Sequence, residues 1–253
     1  MKNFTRSILL VTVFFTILSV RSGWASSFSV EPVRVKLDVQ HRTERLTVKN
    51  ESDLPLTLLI KSYRWTQADK GTDLYDETED LIIFPRALTL AAGEERFIRV
   101  GIASQSGTAE QAFRIYLQEQ PVRDEMAPKG ASARILMRLG IPVFAQPLKP
   151  EPALKVKVSP AAKGHLSLTL VNPGNSFVTP EQITISGLND KGAELFARNL
   201  GGFYLLAGSA RTFEVAIPKD KCRKVNRISV TTRNEGKEQH DMLDMTFEAC
   251  ESK

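Results

Sequence analysis

The chain has 253 residues, of which 42% are hydrophobic and 25% are charged. This composition is typical of one or two globular domains and excludes a disordered or collagen-like chain. Lys and Arg outnumber Asp and Glu by 34 to 29, but three of the basic residues lie in the first 25 positions. The nearly balanced remainder gives no reason to expect nucleic-acid binding.

The N-terminus has the pattern of a secretory signal peptide over residues 1–25. Lys2 and Arg6 precede the apolar run Ile8–Leu18, and Gly23-Trp24-Ala25 supplies a small-x-small cleavage site. The apolar run is shorter than the roughly 20 residues that a membrane-spanning helix needs. We therefore expect export and no membrane span in the mature chain. An uncleaved N-terminal anchor is the alternative.

Short segments that alternate apolar and polar residues follow the leader and predict half-buried β-strands. Clusters of Gly, Asn, Asp and Ser separate them, and no long segment carries the apolar stripe of a helix. The sequence therefore predicts an all-β chain built as sandwiches or barrels. The predicted strands are Val33–Leu37, Arg45–Lys49, Thr57–Trp65, Phe97–Val100, Lys155–Val158, His165–Val171, Gln182–Ile185, Thr212–Ile217 and Met242–Cys250.

A proline-rich segment, Gln146–Pro152, predicts a boundary between two domains. We place the domains at residues 26–146 and 147–253. Each is the size of one β-sandwich. The predicted architecture is two sandwiches joined by a short, stiff hinge.

Cys222 and Cys250 are the two cysteines of the chain. Export to an oxidising compartment favours a disulfide between them. In the chain-entropy model, a loop of about 28 residues gives a stabilisation of roughly 3–4 kcal/mol. Two unpaired thiols are the alternative. A metal site is not expected, because no metal-ligand spacing accompanies the cysteines.

No catalytic motif stands out in the sequence. The patterns GxSxG, HExxH, GxGxxG and the P-loop are absent, and His41, His165 and His240 are scattered. The acidic run Asp76–Asp80 lacks the ligand spacing of a calcium loop. We therefore expect no enzyme activity, cofactor or metal.

The segment 131–147 has one continuously apolar face. Ala133, Ile135, Met137 and Leu139 alternate with mixed residues along a long predicted strand that runs into the hinge. Such a strand, if it lies at an edge, is suited to pairing with another chain. The alternative is that its apolar face is buried in the protein's own core.

Six motifs, taken in order, resemble the PapD-like periplasmic chaperones of the chaperone–usher pathway, and one of them resembles the archaic or alternate branch. They are Ser29–Val35, Asn50–Thr57, Tyr63–Gln67 with Asp80–Pro85, Leu88–Val100, Phe113–Pro121 and Ile141–Pro147. The resemblance implies two immunoglobulin-like domains with a cleft between them. It also implies a periplasmic location.

The resemblance further implies a chaperone for pilus subunits that acts by donor-strand complementation and delivers the subunits to an outer-membrane usher. The donor side chains would be Ala133, Ile135, Met137 and Leu139. Arg34 would bind the C-terminal carboxylate of the subunit, since a guanidinium can grip a carboxylate through two parallel hydrogen bonds.

One position departs from the pattern of the family. Many members have a lysine in the cleft where this chain has Pro142, whose side chain cannot bind a carboxylate. Arg138 and Arg114 are the two candidates to replace that lysine.

Two other functions are kept as alternatives. One is an exported pilin-like or adhesion structural protein, and the other is an exported enzyme whose site leaves no local motif. The sequence also leaves open whether the free protein self-associates to cover its donor strand.

Overall fold

A computed structural model describes residues 27–103, 107–121, 135–161, 164–234, 236–245 and residue 250. Within these ranges the chain is all β apart from short 3-10 turns. The predicted signal peptide lies outside the described residues. In the part of the chain that is described, no helix is long and apolar enough to cross a membrane.

The first sandwich packs two sheets, with strand orders β1-β3-β8-β6 and β2-β10-β9-β4-β5, and β7 pairs with β4 beside the second sheet. Its strands are β1 Phe28–Glu31, β2 Val35–Leu37, β3 Thr43–Asn50, β4 Leu56–Gln67, β5 Asp73–Glu77, β6 Leu81–Phe84, β7 Ala87–Leu90, β8 Glu95–Ile102, β9 Gln111–Glu119 and β10 Arg138–Ala145.

Period-two alternation explains how the two sheets meet. In β9 the side chains of Phe113, Ile115 and Leu117 are fully buried, whereas Arg114 and Tyr116 point to the opposite face. One face of the sheet thus lines the first core, and the other face is left for the cleft between the domains.

The second sandwich has sheets of order β11-β12-β15 and β14-β13-β16-β17. Its strands are β11 Lys155–Ala161, β12 His165–Val171, β13 Gln182–Leu188, β14 Glu194–Leu200, β15 Ala210–Ala216, β16 Arg227–Asn234 and β17 Lys237–Asp244. Leu170, Ile183 and Ile228 are fully buried in a separate core. A disulfide joins Cys222 to Cys250.

The prediction of two β-sandwich domains is confirmed, and β12 has the predicted bounds. The last strand differs from the prediction. It covers Lys237–Asp244 rather than Met242–Cys250, and 246–249 lie outside the described residues. This edge strand is mostly exposed and therefore carries no clear alternation. The predicted boundary between 146 and 147 stays a prediction, although no strand covers 146–154.

Candidate functional site

The cleft between the two domains has an aromatic floor. Trp65 of β4, Ala112 of β9 and Phe144 of β10 form a buried cluster with Leu206 of the second domain. The pleat brings these first-domain residues together, because Phe144 lies opposite Ala112 in the β9–β10 ladder. Side chains from both domains complete the cluster, namely Tyr75, Phe177 and Tyr204. The cleft is therefore a packed interface with exposed margins.

Gln67, near the end of β4, holds the second domain through its side chain. Its amide nitrogen donates to the carbonyl oxygen of Tyr204, and its amide oxygen accepts from the backbone nitrogen of Leu206, each at 2.9 Å. A single amide thus satisfies two backbone groups of the other domain. This arrangement fixes Tyr204 over the cleft.

Arg34, the predicted carboxylate ligand, lies at the exposed mouth of the cleft. Its Nε donates to the hydroxyl of Tyr204 at 2.9 Å. Its Cζ lies 5.1 Å from the ring centroid of Tyr204 and 5.5 Å from that of Phe177. These contacts orient the guanidinium, which is exposed to solvent and suited to binding an anion.

Lys36 is a second cation at the same mouth, and the sequence analysis did not select it. It lies on β2, two residues after Arg34, which precedes the strand, and both cationic groups lie beside the ring of Phe177. Its Nζ is 5.4 Å from the ring centroid of Phe177. The parallel pairing of β2 with β10 places it beside Phe144. The i, i+2 spacing of two basic residues in a predicted strand was the available signal.

The two candidates for the missing lysine lie elsewhere on the cleft face. Arg114 lies opposite Pro142 in the ladder, but it is half-buried, with its Cζ 4.4 Å from the ring centroid of Trp65. Arg138 lies four residues from Pro142, roughly 13 Å along the strand. Its Cζ stacks 3.8 Å from the ring centroid of Tyr116. The structure brings Arg34 together with Lys36 rather than with Arg138.

The described part of the predicted donor segment runs from an exposed residue, Ile135, into the protein's own core. Ile135 is 88% exposed, and Met137 and Leu139 are partly buried against the first core. Ile141 and Val143, further along the same face, are buried within that core. Ala133 lies outside the described residues. The strand β10 starts only at Arg138, so it is shorter than predicted.

Backbone pairing nevertheless extends one residue before β10. The backbone nitrogen of Glu119 donates to the carbonyl oxygen of Met137 at 2.9 Å. The backbone nitrogen of Met137 in turn donates to the buried carboxylate of Glu119 at 3.1 Å. The segment from Met137 onward is therefore held against β9.

The other side of β10 is paired only at its end. β2 pairs with Val143–Ala145, while β9 pairs with the whole strand. In the described part of the chain, no strand pairs with Arg138–Pro142 on the side away from β9. That side presents backbone groups along a free edge that leads toward exposed Ile135. A free edge of this kind is a template for an added strand.

No cluster of three or more metal-ligating His, Cys, Asp or Glu side chains occurs among the described residues.

Tyr75, on the cleft floor, is held neutral by its surroundings. Burial raises the pKa of its hydroxyl to about 12, and the charge of Arg114 opposes this only in part. The described cleft thus presents cations and aromatic rings.

The N-terminal half of the chain matches a known family. Residues 27–151 match the family described as pili and flagellar-assembly chaperone, PapD N-terminal domain. Residues 27–151, the first sandwich and the start of the hinge, are therefore similar to a PapD N-terminal domain. A search of curated proteins finds no match.

Solved structures share the fold of this PapD-like chain. One is a chain from the CsuC–CsuE chaperone–tip adhesion subunit pre-assembly complex of Acinetobacter baumannii, from an archaic chaperone–usher system. It is 18% identical with a TM-score of 0.56, and the match covers 85% of this chain and 97% of that one. The YadV chaperone is 15% identical with a TM-score of 0.58, over 86% and 99% of the two chains. The Escherichia coli chaperone DraB is 16% identical with a TM-score of 0.54, over 88% and 98%.

Proposed function

We propose that this PapD-like chain is a periplasmic chaperone that binds pilus subunits by lending them β10 and the residues before it. The observation that carries the proposal is the edge of β10 over Arg138–Pro142, which no described strand pairs with and which leads to exposed Ile135. Main-chain pairing along such an edge provides general affinity, and alternate side chains provide specificity.

The donated side chains are Ala133, Ile135, Met137 and Leu139. Ile135 is the most exposed of the described members, and Met137 and Leu139 are partly exposed. Burial of exposed apolar side chains in a groove of the subunit contributes about 25 cal/mol for each Å² removed from water. Ile141 and Val143 remain in the chaperone's own core and anchor the donated segment.

The C-terminal carboxylate of the subunit binds at the mouth of the cleft between Arg34 and Lys36. Both cations lie about equally far from the Phe177 ring. Arg34 is already oriented by Tyr204, which lowers the entropy lost when it binds an anion. In this assignment Lys36 takes the role of the lysine that Pro142 replaces, and Arg114 and Arg138 support the cleft floor.

Delivery to an outer-membrane usher requires a second surface that stays free while a subunit is bound. The solvent face of the sheet β1-β3-β8-β6 has an exposed apolar patch, with Ile82 58%, Phe84 75% and Phe97 49% exposed. Arg45 stacks over Phe97, and Arg99 pairs with Phe84 in the ladder. Exposed apolar patches with a charged rim mark protein interfaces. This patch lies on the sheet opposite β10.

Capture of subunits from the periplasm tests the donor strand. We expect the wild type to co-purify with a small pilin-like protein and Ile135→Asp to lose it, because a carboxylate cannot enter an apolar groove. Met242→Asp is a matched control, since Met242 is 66% exposed on the second domain. Capture that is unchanged in folded Ile135→Asp would contradict strand donation. Incorporation of the chain itself into fibres would favour a structural protein.

The apolar patch is tested in the same preparation. Phe84→Asp should retain the subunit and fail to bind the usher, whereas Ile135→Asp should fail at the earlier step. If Phe84→Asp loses both subunit binding and usher binding while circular dichroism shows an intact fold, the two partners do not bind separate surfaces.

A further inference from the structure

Glu110 joins the two domains at the start of β9. Its backbone nitrogen donates to the carbonyl oxygen of Asn175 at 2.8 Å, and its Oε1 accepts from the backbone nitrogen of Phe177 at 3.0 Å. Asn175 also reaches back, donating its side-chain amide to the carbonyl oxygens of Thr108 and Lys149 at 3.0 Å. The contact is therefore a two-way connection across the hinge.

The second carboxylate oxygen of Glu110 is buried, and no described residue forms a hydrogen bond with it. An ionised carboxylate is poorly solvated in such a place. Burial raises the pKa of Glu110 to about 7. Hydrogen bonds from Phe177 and Gln146 and the charge of Lys36 act in the opposite direction without overcoming it. Glu110 therefore changes its charge near neutral pH.

The charge of Lys36 favours the ionised form of Glu110, although its effect is smaller than those of the hydrogen bonds from Phe177 and Gln146. Among the described residues, the charged groups near Glu110 are Lys36 of β2 and Arg64 of β4. Arg64 and Glu110 both line a cavity of about 290 Å³. Arg64 is already paired with Asp80. Neutral side chains near Glu110 come from Gln111 of β9, Gln146 of the hinge and Ser209 of the second domain.

Phe177 connects Glu110 to the mouth of the cleft. Its backbone nitrogen binds Glu110, while its ring stacks on Phe144 at 3.9 Å between centroids. The same ring lies next to the cationic groups of Arg34 and Lys36. The charge of Lys36 thus stabilises both an ionised Glu110 and an anion bound at the mouth of the cleft. An anion bound beside Lys36 partly cancels that charge and so reduces the stabilisation of ionised Glu110.

We propose that Glu110 is a proton-dependent latch between the two domains, and that its protonation strengthens the binding of a carboxylate at Arg34 and Lys36. The proposal rests on the proposed function only for the source of that carboxylate, the C-terminus of a subunit. Because linkage is reciprocal, binding of the carboxylate is accompanied by uptake of a proton at Glu110.

The titration of Glu110 is the first test. Carboxyl ¹³C NMR on the mature protein should give a midpoint near 7 for the signal that disappears in Glu110→Gln. Sodium acetate serves as the carboxylate probe and should raise the midpoint relative to sodium chloride at equal ionic strength. Lys36→Gln, a surface change, should raise the midpoint without acetate and remove the acetate effect. A midpoint in the ordinary range of glutamate, or no effect of acetate on the wild type, would overturn the proposal.

The affinity for a captured subunit is the second test. The wild type should bind several-fold more tightly at pH 6 than at pH 8, and uptake of one proton limits the change to about tenfold per pH unit. Glu110→Gln should bind with the same affinity at both pH values. Equal wild-type affinities at pH 6 and pH 8 would overturn the coupling between Glu110 and carboxylate binding, and would leave strand donation intact. Absence of subunit binding at every pH would contradict the proposed function. The acetate titration would then decide by itself whether carboxylate binding is coupled to the protonation of Glu110.

Discussion

At the scale of single residues, the cleft depends on polar side chains that serve backbone groups of the other domain. Gln67 and Glu110 both do so, and neither was predicted to contact the other domain, because a Gln or Glu beside a predicted strand is normally a solvated residue. Arg34 was predicted from the resemblance to the family. Lys36 had only its i, i+2 spacing from Arg34 as a sequence signal, and its place beside Phe144 depends on the pairing of β2 with β10, which joins residues more than a hundred positions apart.

Glu110 gives a pH dependence of stability whose sign follows from its burial. Its pKa is about 7 in the folded protein, above the ordinary 4.5, so the folded state binds the proton more tightly. The stabilisation is complete below pH 4.5 and is lost as the pH rises through 7. From pH 5 to pH 8 we expect a loss on the order of 2 kcal/mol in the free energy of unfolding. Urea unfolding of the wild type and Glu110→Gln measures it, and equal pH dependences in the two proteins would contradict the prediction.

At the scale of elements, β10 combines two environments along one face. Alternation in the sequence correctly indicated which residues share that face, since Leu139, Ile141 and Val143 all lie on the core side. It did not show where the core ends. Burial at Ile141 and exposure at Ile135 are set by how far the opposite sheet extends over β10, which depends on contacts distant in sequence. Burial in the protein's own core therefore holds for Ile141 and Val143, whereas pairing of the exposed end with another chain stays a prediction.

Two alanine substitutions on this face should separate these environments. Ile141→Ala should lower the free energy of unfolding by about 2–5 kcal/mol, because it leaves a cavity in the first core. Ile135→Ala should change it by less than about 0.5 kcal/mol, because the side chain is already in solvent. Chemical unfolding of both variants measures the difference. Similar decreases in the free energy of unfolding of the two variants would show that Ile135 belongs to the folded core.

At the scale of the whole molecule, two cores with separate residues are joined by a smaller aromatic cluster. Composition and turn spacing were sufficient to predict two β-sandwiches, because alternating strands with polar turns leave few other folds. Their relative placement was not predictable, since it depends on Trp65, Phe144, Phe177 and Tyr204, which lie far apart in the sequence.

The disulfide should stabilise the second domain and leave the first unchanged. Cys222 belongs to the second core, and Cys250 packs against that core. Replacing both residues by Ser should lower the stability of that domain by about 3 kcal/mol, because the unfolded chain loses a cross-link over a long loop. Unfolding monitored by NMR signals from each domain measures this. An equal loss in the first domain would contradict independent cores.

Amide hydrogen exchange on the free and subunit-bound chaperone tests strand donation most directly. Binding should slow the exchange of amides in residues 135–141 that face away from β9, because an added strand gives them hydrogen-bond partners. The amides of β6, at the edge of the opposite sheet, should be unchanged and serve as an internal control. A bound subunit that leaves 135–141 unprotected, or that protects β6 instead, would contradict the account.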